Sequence, residues 1–168
     1  MNLKGASPMK AVTWQGKQKM EIRNVDDPKI LEPTDAIIRI TATAICGSDL
    51  HLYHHGEAVL EKGYVVGHEP MGIVEEVGSQ VQTLKKGQRV VIPFNISCGH
   101  CHFCLNHMES QCDESNPDQL YGGLFGFGKL NGNHWGGQAE YLRVPYADST
   151  SFAVSYTHLR AHETVLDL

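Results

Sequence analysis

Four of the chain's five cysteines fall within fifteen residues, as Cys98-Gly-His-Cys101-His-Phe-Cys104 followed by Cys112. A Cys-x2-Cys step brings two sulfurs to one ion, and zinc, with its filled d shell, accepts a four-thiolate cage without geometric strain. The spacing therefore predicts a structural zinc site at Cys98, Cys101, Cys104 and Cys112. An iron–sulfur cluster fits less well. The bacterial ferredoxin run also opens Cys-x2-Cys-x2-Cys, but its fourth cysteine follows after three residues and precedes proline, whereas here seven residues intervene and Asp113 follows. Disulfides need an oxidising compartment, and the first ten residues, with Lys4 and Lys10 among small or polar neighbours, contain no apolar core of a secretory signal. A thioredoxin-like pair would use one Cys-x2-Cys within a βαβ pattern, which is not seen here. His100, His102 and His107 could each replace a thiol, but with four thiols available they read as solvated loop residues.

The fifth cysteine belongs to a different constellation. Cys46-Gly-Ser48-Asp49-Leu-His51 is followed twenty-two residues after Cys46 by His68-Glu69, set between Gly67 and Pro70. Two loops thus offer a thiolate, an imidazole and carboxylates, the incomplete mixed set that a catalytic zinc site uses when it leaves one position open to water or substrate. Taken singly, Cys46 reads as an inert buried thiol and His68 as a satisfied loop histidine. Their joint occurrence beside a four-cysteine lobe favours a metal centre.

These loops need rigid elements to present them. Residues 9–14 begin a strand-like run, and apolar and polar residues alternate over 20–25 and 71–77, as in half-buried strands. Residues 36–45 form the strongest strand pattern, rich in β-branched residues and ending at Cys46, and 88–94 and 138–144 read as two further strands. A short helix is expected over 48–54, with Ser48 or Asp49 as its cap. Residues 122–137 read as a glycine-rich loop. Within it, Gly123-Leu-Phe-Gly-Phe-Gly-Lys129-Leu130 approaches the P-loop pattern, but Leu130 stands where a magnesium-binding hydroxyl is needed and Asn131-Gly-Asn133 cannot open a helix. The dinucleotide fingerprint fails as well, with Asn131 in place of its last glycine. Strands separated by loops, with little helical periodicity, indicate a mainly β fold, a barrel or sandwich rather than a βαβ array.

Length and composition agree with one globular domain of 168 residues, 41% hydrophobic and 20% charged. A net charge of −5 gives no electrostatic reason to bind nucleic acid or an anionic membrane, and no apolar run reaches the roughly 20 residues that span a bilayer.

The combination of Cys-Gly-Ser-Asp-x-His, Gly-His-Glu with Gly72 and Gly78 following, and Cys-x2-Cys-x2-Cys-x7-Cys, in this order, resembles the N-terminal catalytic domain of zinc-dependent medium-chain alcohol dehydrogenases. The likeness covers about residues 9–148. Pro93-Phe94-Asn95, Gly136-Gly-Gln-Ala-Glu-Tyr141 and Val144-Pro-Tyr-Ala-Asp148 more narrowly resemble the branch with glutathione-independent formaldehyde dehydrogenase and formaldehyde dismutase. The resemblance implies a GroES-like, partly open β-barrel with short helices and a structural-zinc lobe. It implies catalytic zinc on Cys46 and His68, with Glu69 as a nearby or transient ligand and Asp49 orienting the histidine. It further implies that zinc acidifies a bound alcohol whose hydride passes to NAD or NADP, while Ser48 relays the proton and His51 ends the relay at the surface. A small alcohol or aldehyde substrate, a cytoplasmic location and homo-oligomeric full-length relatives follow from the same likeness.

The sequence also departs from that family. The nucleotide-binding Rossmann domain and the third catalytic ligand, both expected beyond Asp148, are missing, and 155–168 reads as a non-native tail on a truncated gene. Residues 1–8 read as a leader and 9–154 as the truncated catalytic domain. Asp148, His158 and His162 are candidate substitute ligands, without a spacing argument for any. The expectation is an inactive fragment of an enzyme; the alternative is a zinc-binding structural or interaction module without catalysis.

Overall fold

The computed structural model describes residues 8–117 and 121–154. The expected leader, apart from Pro8, and the expected tail with His158 and His162 lie outside the described residues. Among the described residues seven strands occur: β1 (Met9–Gly16), β2 (Lys19–Val25), β3 (Ala36–Thr43), β4 (Pro70–Val77), β5 (Arg89–Val91), β6 (Tyr141–Val144) and β7 (Phe152–Ala153). Short α-helices join them, α1 (Gly47–His55), α2 (His102–Leu105) and α3 (Ala147–Thr150) among the described residues. The strands form a two-stranded hairpin, β1-β2, and a five-stranded sheet in the order β6-β3-β4-β5-β7, with every strand pairing antiparallel. The sheets do not close on each other, so the expected mainly β, partly open barrel is the fold observed. No crossover helix joins parallel strands among the described residues, and none of them forms a Rossmann unit.

Strand β1 joins the hairpin to the sheet. Its Val12 N–H donates to the Gln138 carbonyl at 2.8 Å, and its Val12 carbonyl accepts Val66 N–H at 3.2 Å. Trp14 N–H donates to the Tyr64 carbonyl at 2.9 Å, and Gly63 N–H returns the bond to Trp14 at 2.8 Å. The main core packs Ile38, Val74, Val90, Ile92, Ile96, Phe125, Leu142 and Val144. Each such side chain contributes about 1.5–3 kcal/mol by leaving water. A second cluster of Trp14, Leu52, Leu60, Tyr64 and Val66, with Phe127 against it, seats α1 through Leu52.

The strands are shorter than their patterns suggest, for local reasons. β3 was expected to reach residue 45, but its pairing ends where Thr43 faces Pro70, a residue with no N–H to extend the ladder. Ile45 is left exposed. Expected strand 88–94 pairs only over Arg89–Val91, with Pro93 just beyond, and expected strand 138–144 pairs within this sheet only over Tyr141–Val144. β7 had no distinct sequence signal. Gly72, in the middle of β4, is required sterically: a Cβ there would stand 2.3 Å from the Arg39 carbonyl oxygen.

One charged pair ties the sheet to the loop that enters it. Asp35 is fully buried and accepts Leu31 N–H at 2.9 Å, Glu32 N–H at 2.8 Å, and Arg143 through Nε at 2.6 Å and Nη2 at 3.0 Å. Removing one partner of such a pair leaves an uncompensated buried charge. Arg143→Ala is therefore expected to lower unfolding free energy in urea by about 3 kcal/mol; a loss within ~0.5 kcal/mol, the range of ordinary surface changes, would contradict this account.

Candidate metal centre

The cysteine lobe follows β5 and is built around its own sulfurs. Cys98, Cys104 and Cys112 are buried and Cys101 is half-buried. Backbone N–H groups aim the sulfurs: His100 and Cys101 donate to Cys98 Sγ at 3.4 and 3.2 Å, Cys104 to Cys101 Sγ at 3.5 Å, and Cys98 to Cys112 Sγ at 3.3 Å. All four ligand atoms lie within 4.8 Å of one another. The Cys98–Cys104 and Cys101–Cys112 sulfur separations are each 3.9 Å. A tetrahedron with metal–sulfur bonds of about 2.3 Å has edges of about 3.8 Å, so these two separations match its edges and the four-thiol set fits a zinc ion. His100, His102 and His107 are exposed and outside this group.

A second set of residues docks the lobe on the barrel. Thr150 Oγ1 accepts Ser97 N–H at 3.2 Å and donates to the Ser97 carbonyl at 3.2 Å, and Ser149 Oγ donates to that same carbonyl. Asp148, a candidate substitute ligand, instead accepts Gln82 N–H, Thr83 N–H and the Thr83 hydroxyl at 2.8, 2.8 and 2.5 Å. Its oxygens are committed to that loop, which corrects the ligand reading.

The mixed site forms where α1 begins. Neither Ser48 nor Asp49 is the cap; Cys46 is the N-cap residue, its Sγ accepting Ser48 N–H at 3.4 Å while Asp49 Oδ2 accepts Cys46 N–H at 2.9 Å. The sequence reading missed this because cysteine is not among the preferred capping residues. With the cap made by its neighbours, the Ser48 hydroxyl is free to face the metal position. Ser48 Oγ lies 2.9 Å from Cys46 Sγ and 3.0 Å from His68 Nε2, and these two atoms lie 3.0 Å apart. Cys46, His68 and Glu69 each place one ligand atom within 4.8 Å of the others.

Behind the imidazole, His68 Nδ1 faces Asp49 Oδ1 at 3.2 Å, and neither atom meets another hydrogen-bond partner. Both residues are buried, His68 at 4% exposure and Asp49 at 6%. The approach is close in distance but falls short of hydrogen-bond geometry. A tetrahedral zinc with bonds of about 2.3 Å to sulfur and about 2.0 Å to nitrogen holds such ligands about 3.5 Å apart. The donor set therefore fits zinc after Cys46 and His68 separate by about half an ångström. Phe127 lies over His68 at 4.9 Å between ring centres and Phe94 stands edge-on at 6.5 Å, walling the site with aromatic carbon. Phe127 carried no sequence signal, since a loop distant in the chain brings it there. His51 sits exposed one turn along α1, and among the described residues no hydrogen bond joins it to Ser48. The near-P-loop segment is a turn: residues 129–131 form one 3-10 turn, and Gly128 N–H donates to the Tyr64 hydroxyl at 3.0 Å.

Comparison with known proteins places these features in context. Residues 32–153 match the alcohol dehydrogenase GroES-like domain. The chain is 58% identical over 146 residues to an uncharacterized zinc-type alcohol dehydrogenase-like protein of Bacillus subtilis, covering 87% of this chain and 39% of that one. It is 40% identical over 146 residues to a glutathione-independent formaldehyde dehydrogenase of Pseudomonas aeruginosa, covering 83% and 36%. Among solved structures, an alcohol dehydrogenase from Thermus sp. ATN1 superposes with a TM-score of 0.80 at 41% identity, covering 88% of this chain and 40% of that one. The chain thus spans about two fifths of the length of these relatives.

Burial raises the thiol pKa values of Cys98 and Cys104, the latter to about 12. Burial also pushes Cys112 up, but hydrogen bonds from Cys98 N–H and Ser115 outweigh it and leave that thiol below its ordinary value. Metal must displace protons from the raised thiols, and protons compete harder as pH falls. The lobe's apparent metal affinity is expected to rise about tenfold or more per pH unit between about pH 6 and about pH 8. Competition against a chromophoric chelator measures this; a flat profile would contradict thiolate ligation.

Proposed function

The chain belongs to the alcohol dehydrogenase GroES-like domain family, and from that premise we propose that it is the zinc-binding catalytic domain of an alcohol or aldehyde dehydrogenase using NAD or NADP. The observation that carries this reading is the convergence of Cys46, His68 and Glu69 on one point, with the Ser48 hydroxyl 3.0 Å from the imidazole. Cys46, His68 and Glu69 would hold catalytic zinc, and Cys98, Cys101, Cys104 and Cys112 structural zinc. Bound at the first site, zinc supplies Lewis acidity toward the oxygen of a small alcohol or aldehyde.

The protein residues do the rest. Asp49 faces the His68 ring from behind at 3.2 Å, where pairing with Nδ1 would fix which nitrogen is free to ligate. Ser48 offers a hydroxyl that both donates and accepts, the property needed to pass a proton from a substrate oxygen. His51, at i+3 on the exposed face of α1, is the next titratable group toward solvent and ends that path. Phe94 and Phe127 exclude water from the imidazole side. The likeness to formaldehyde dehydrogenase supports small substrates.

The hydride acceptor has no binding fold among the described residues, whose strand pairings are all antiparallel. This reading calls for a dinucleotide-binding domain beside this one, in an oligomeric, cytoplasmic enzyme, and expects no alcohol oxidation from the 168-residue chain alone. Residues 9–154 are proposed as its catalytic domain, with 1–8 and 155–168 outside it. The second reading, a zinc-binding structural module without catalysis, draws on the contrast between a complete four-thiol set and a three-residue mixed set.

Metal analysis separates the two. One zinc per chain should survive dialysis, a second should bind only in zinc excess, and Cys46→Ser or His68→Ala should abolish the second alone. Absence of the second ion from the unmodified chain would leave the structural module as the answer, and NAD-dependent alcohol oxidation by the 168-residue chain would overturn its incompleteness.

A further inference from the structure

The two loops of the mixed site share a support that belongs to neither. Gln138 is buried at 8% exposure, just before Ala139, which bridges Ala11. Its Nε2 donates to the Ala44 carbonyl at 3.4 Å, two residues before Cys46. Its backbone N–H donates to the Val66 carbonyl at 3.0 Å, two residues before His68, and its carbonyl accepts Val12 N–H at 2.8 Å from β1. Its Cβ and Cγ fill the space beside Gly67, where an added Cβ would meet them at 2.9 and 2.5 Å. One residue on the rigid sheet side thus grips both ligand-bearing loops, and its side chain reaches the thiolate loop.

We propose that Gln138 is a positioning residue that sets the separation of Cys46 from His68, an inference resting on the reading of those two as metal ligands. The sulfur–nitrogen distance of 3.0 Å must grow to about 3.5 Å for a tetrahedral ion. On the His68 side the backbone is held by backbone bonds of ordinary length, Gln138 N–H to Val66 at 3.0 Å and Gly137 N–H to Gly67 at 2.9 Å. On the Cys46 side Ala44 is held by two long bonds, the Gln138 amide at 3.4 Å and its own N–H to the Glu69 carbonyl at 3.3 Å. The thiolate loop is therefore the part that yields, and the Gln138 amide limits how far. A residue that only filled the core would affect stability without favouring one metal site over the other.

Gln138→Met fills nearly the same space and removes the donor. Titrating the 168-residue chain with Co(II) reads both sites at once, because thiolate-to-cobalt and d–d bands differ between four-thiolate and mixed ligand sets, and Cys46→Ser identifies the mixed component. The expected result is a cobalt affinity at the mixed site weaker by about tenfold or more, with altered d–d bands there and an unchanged four-thiolate band. Should the Met variant lose the four-thiolate band, Gln138→Leu repeats the comparison. Unchanged mixed-site affinity, or equal weakening of both sites together with the melting temperature in both variants, would overturn the assignment. A wild-type chain without any Cys46-dependent cobalt band would instead overturn the metal-centre reading, and the role of Gln138 with it.

Discussion

Backbone packed directly on backbone at Gly67 is the constraint on which the mixed site depends. Gly67 adopts φ +101°, a region open to glycine, and Gln138 lies where its side chain would be. From two other directions Gly126 and Gly136 approach its carbonyl oxygen so closely that a Cβ on either would stand 2.6 or 2.2 Å away. Three chain segments therefore meet at the residue before His68, and only glycines allow it. The resulting crossing orients the imidazole into the barrel and brings Phe127 over it. The glycine-rich loop that resembles a phosphate cradle owes its composition to this approach.

The two cysteine-bearing sites are built by opposite strategies. In the lobe, ligands sit close in sequence, local N–H groups aim the sulfurs, and the only distant requirement is docking through Ser97 and Thr150. At the mixed site the candidate ligands come from two loops, held by β1, β3 and the segment before β6. Helix α1 serves both purposes there: the capping exchange between Cys46 and Asp49 starts the helix, fixes the thiol and leaves the second carboxylate oxygen facing His68. A capping interaction thus places the thiol and a carboxylate on the two sides of the imidazole.

Much of this was legible in the residue order. Strand periodicity located β1 to β6 and α1 to within a few residues, since alternation reports a half-buried face directly. The thiol spacing predicted the lobe, and Cys46, Ser48, Asp49, His68 and Glu69 do converge. What escaped were strand ends, which depend on where a partner such as Pro70 stops pairing, and the contributions of Gln138 and Phe127, which are ordinary residues until the chain returns them to the site. The identity of the cap also escaped, because propensity favours serine and aspartate while geometry selected Cys46.

The sequence by itself determined the ligand types, the four-thiol spacing and the strand pattern, because each is a local property: metal-ligand chemistry belongs to side chains and periodicity to neighbouring residues. Only the tertiary structure decided that Asp148 braces a loop, that the Ser48 hydroxyl faces His68, and that Cys46 and His68 stand 3.0 Å apart. Those distances are set by contacts between segments far apart in the chain, whose energies no local pattern encodes.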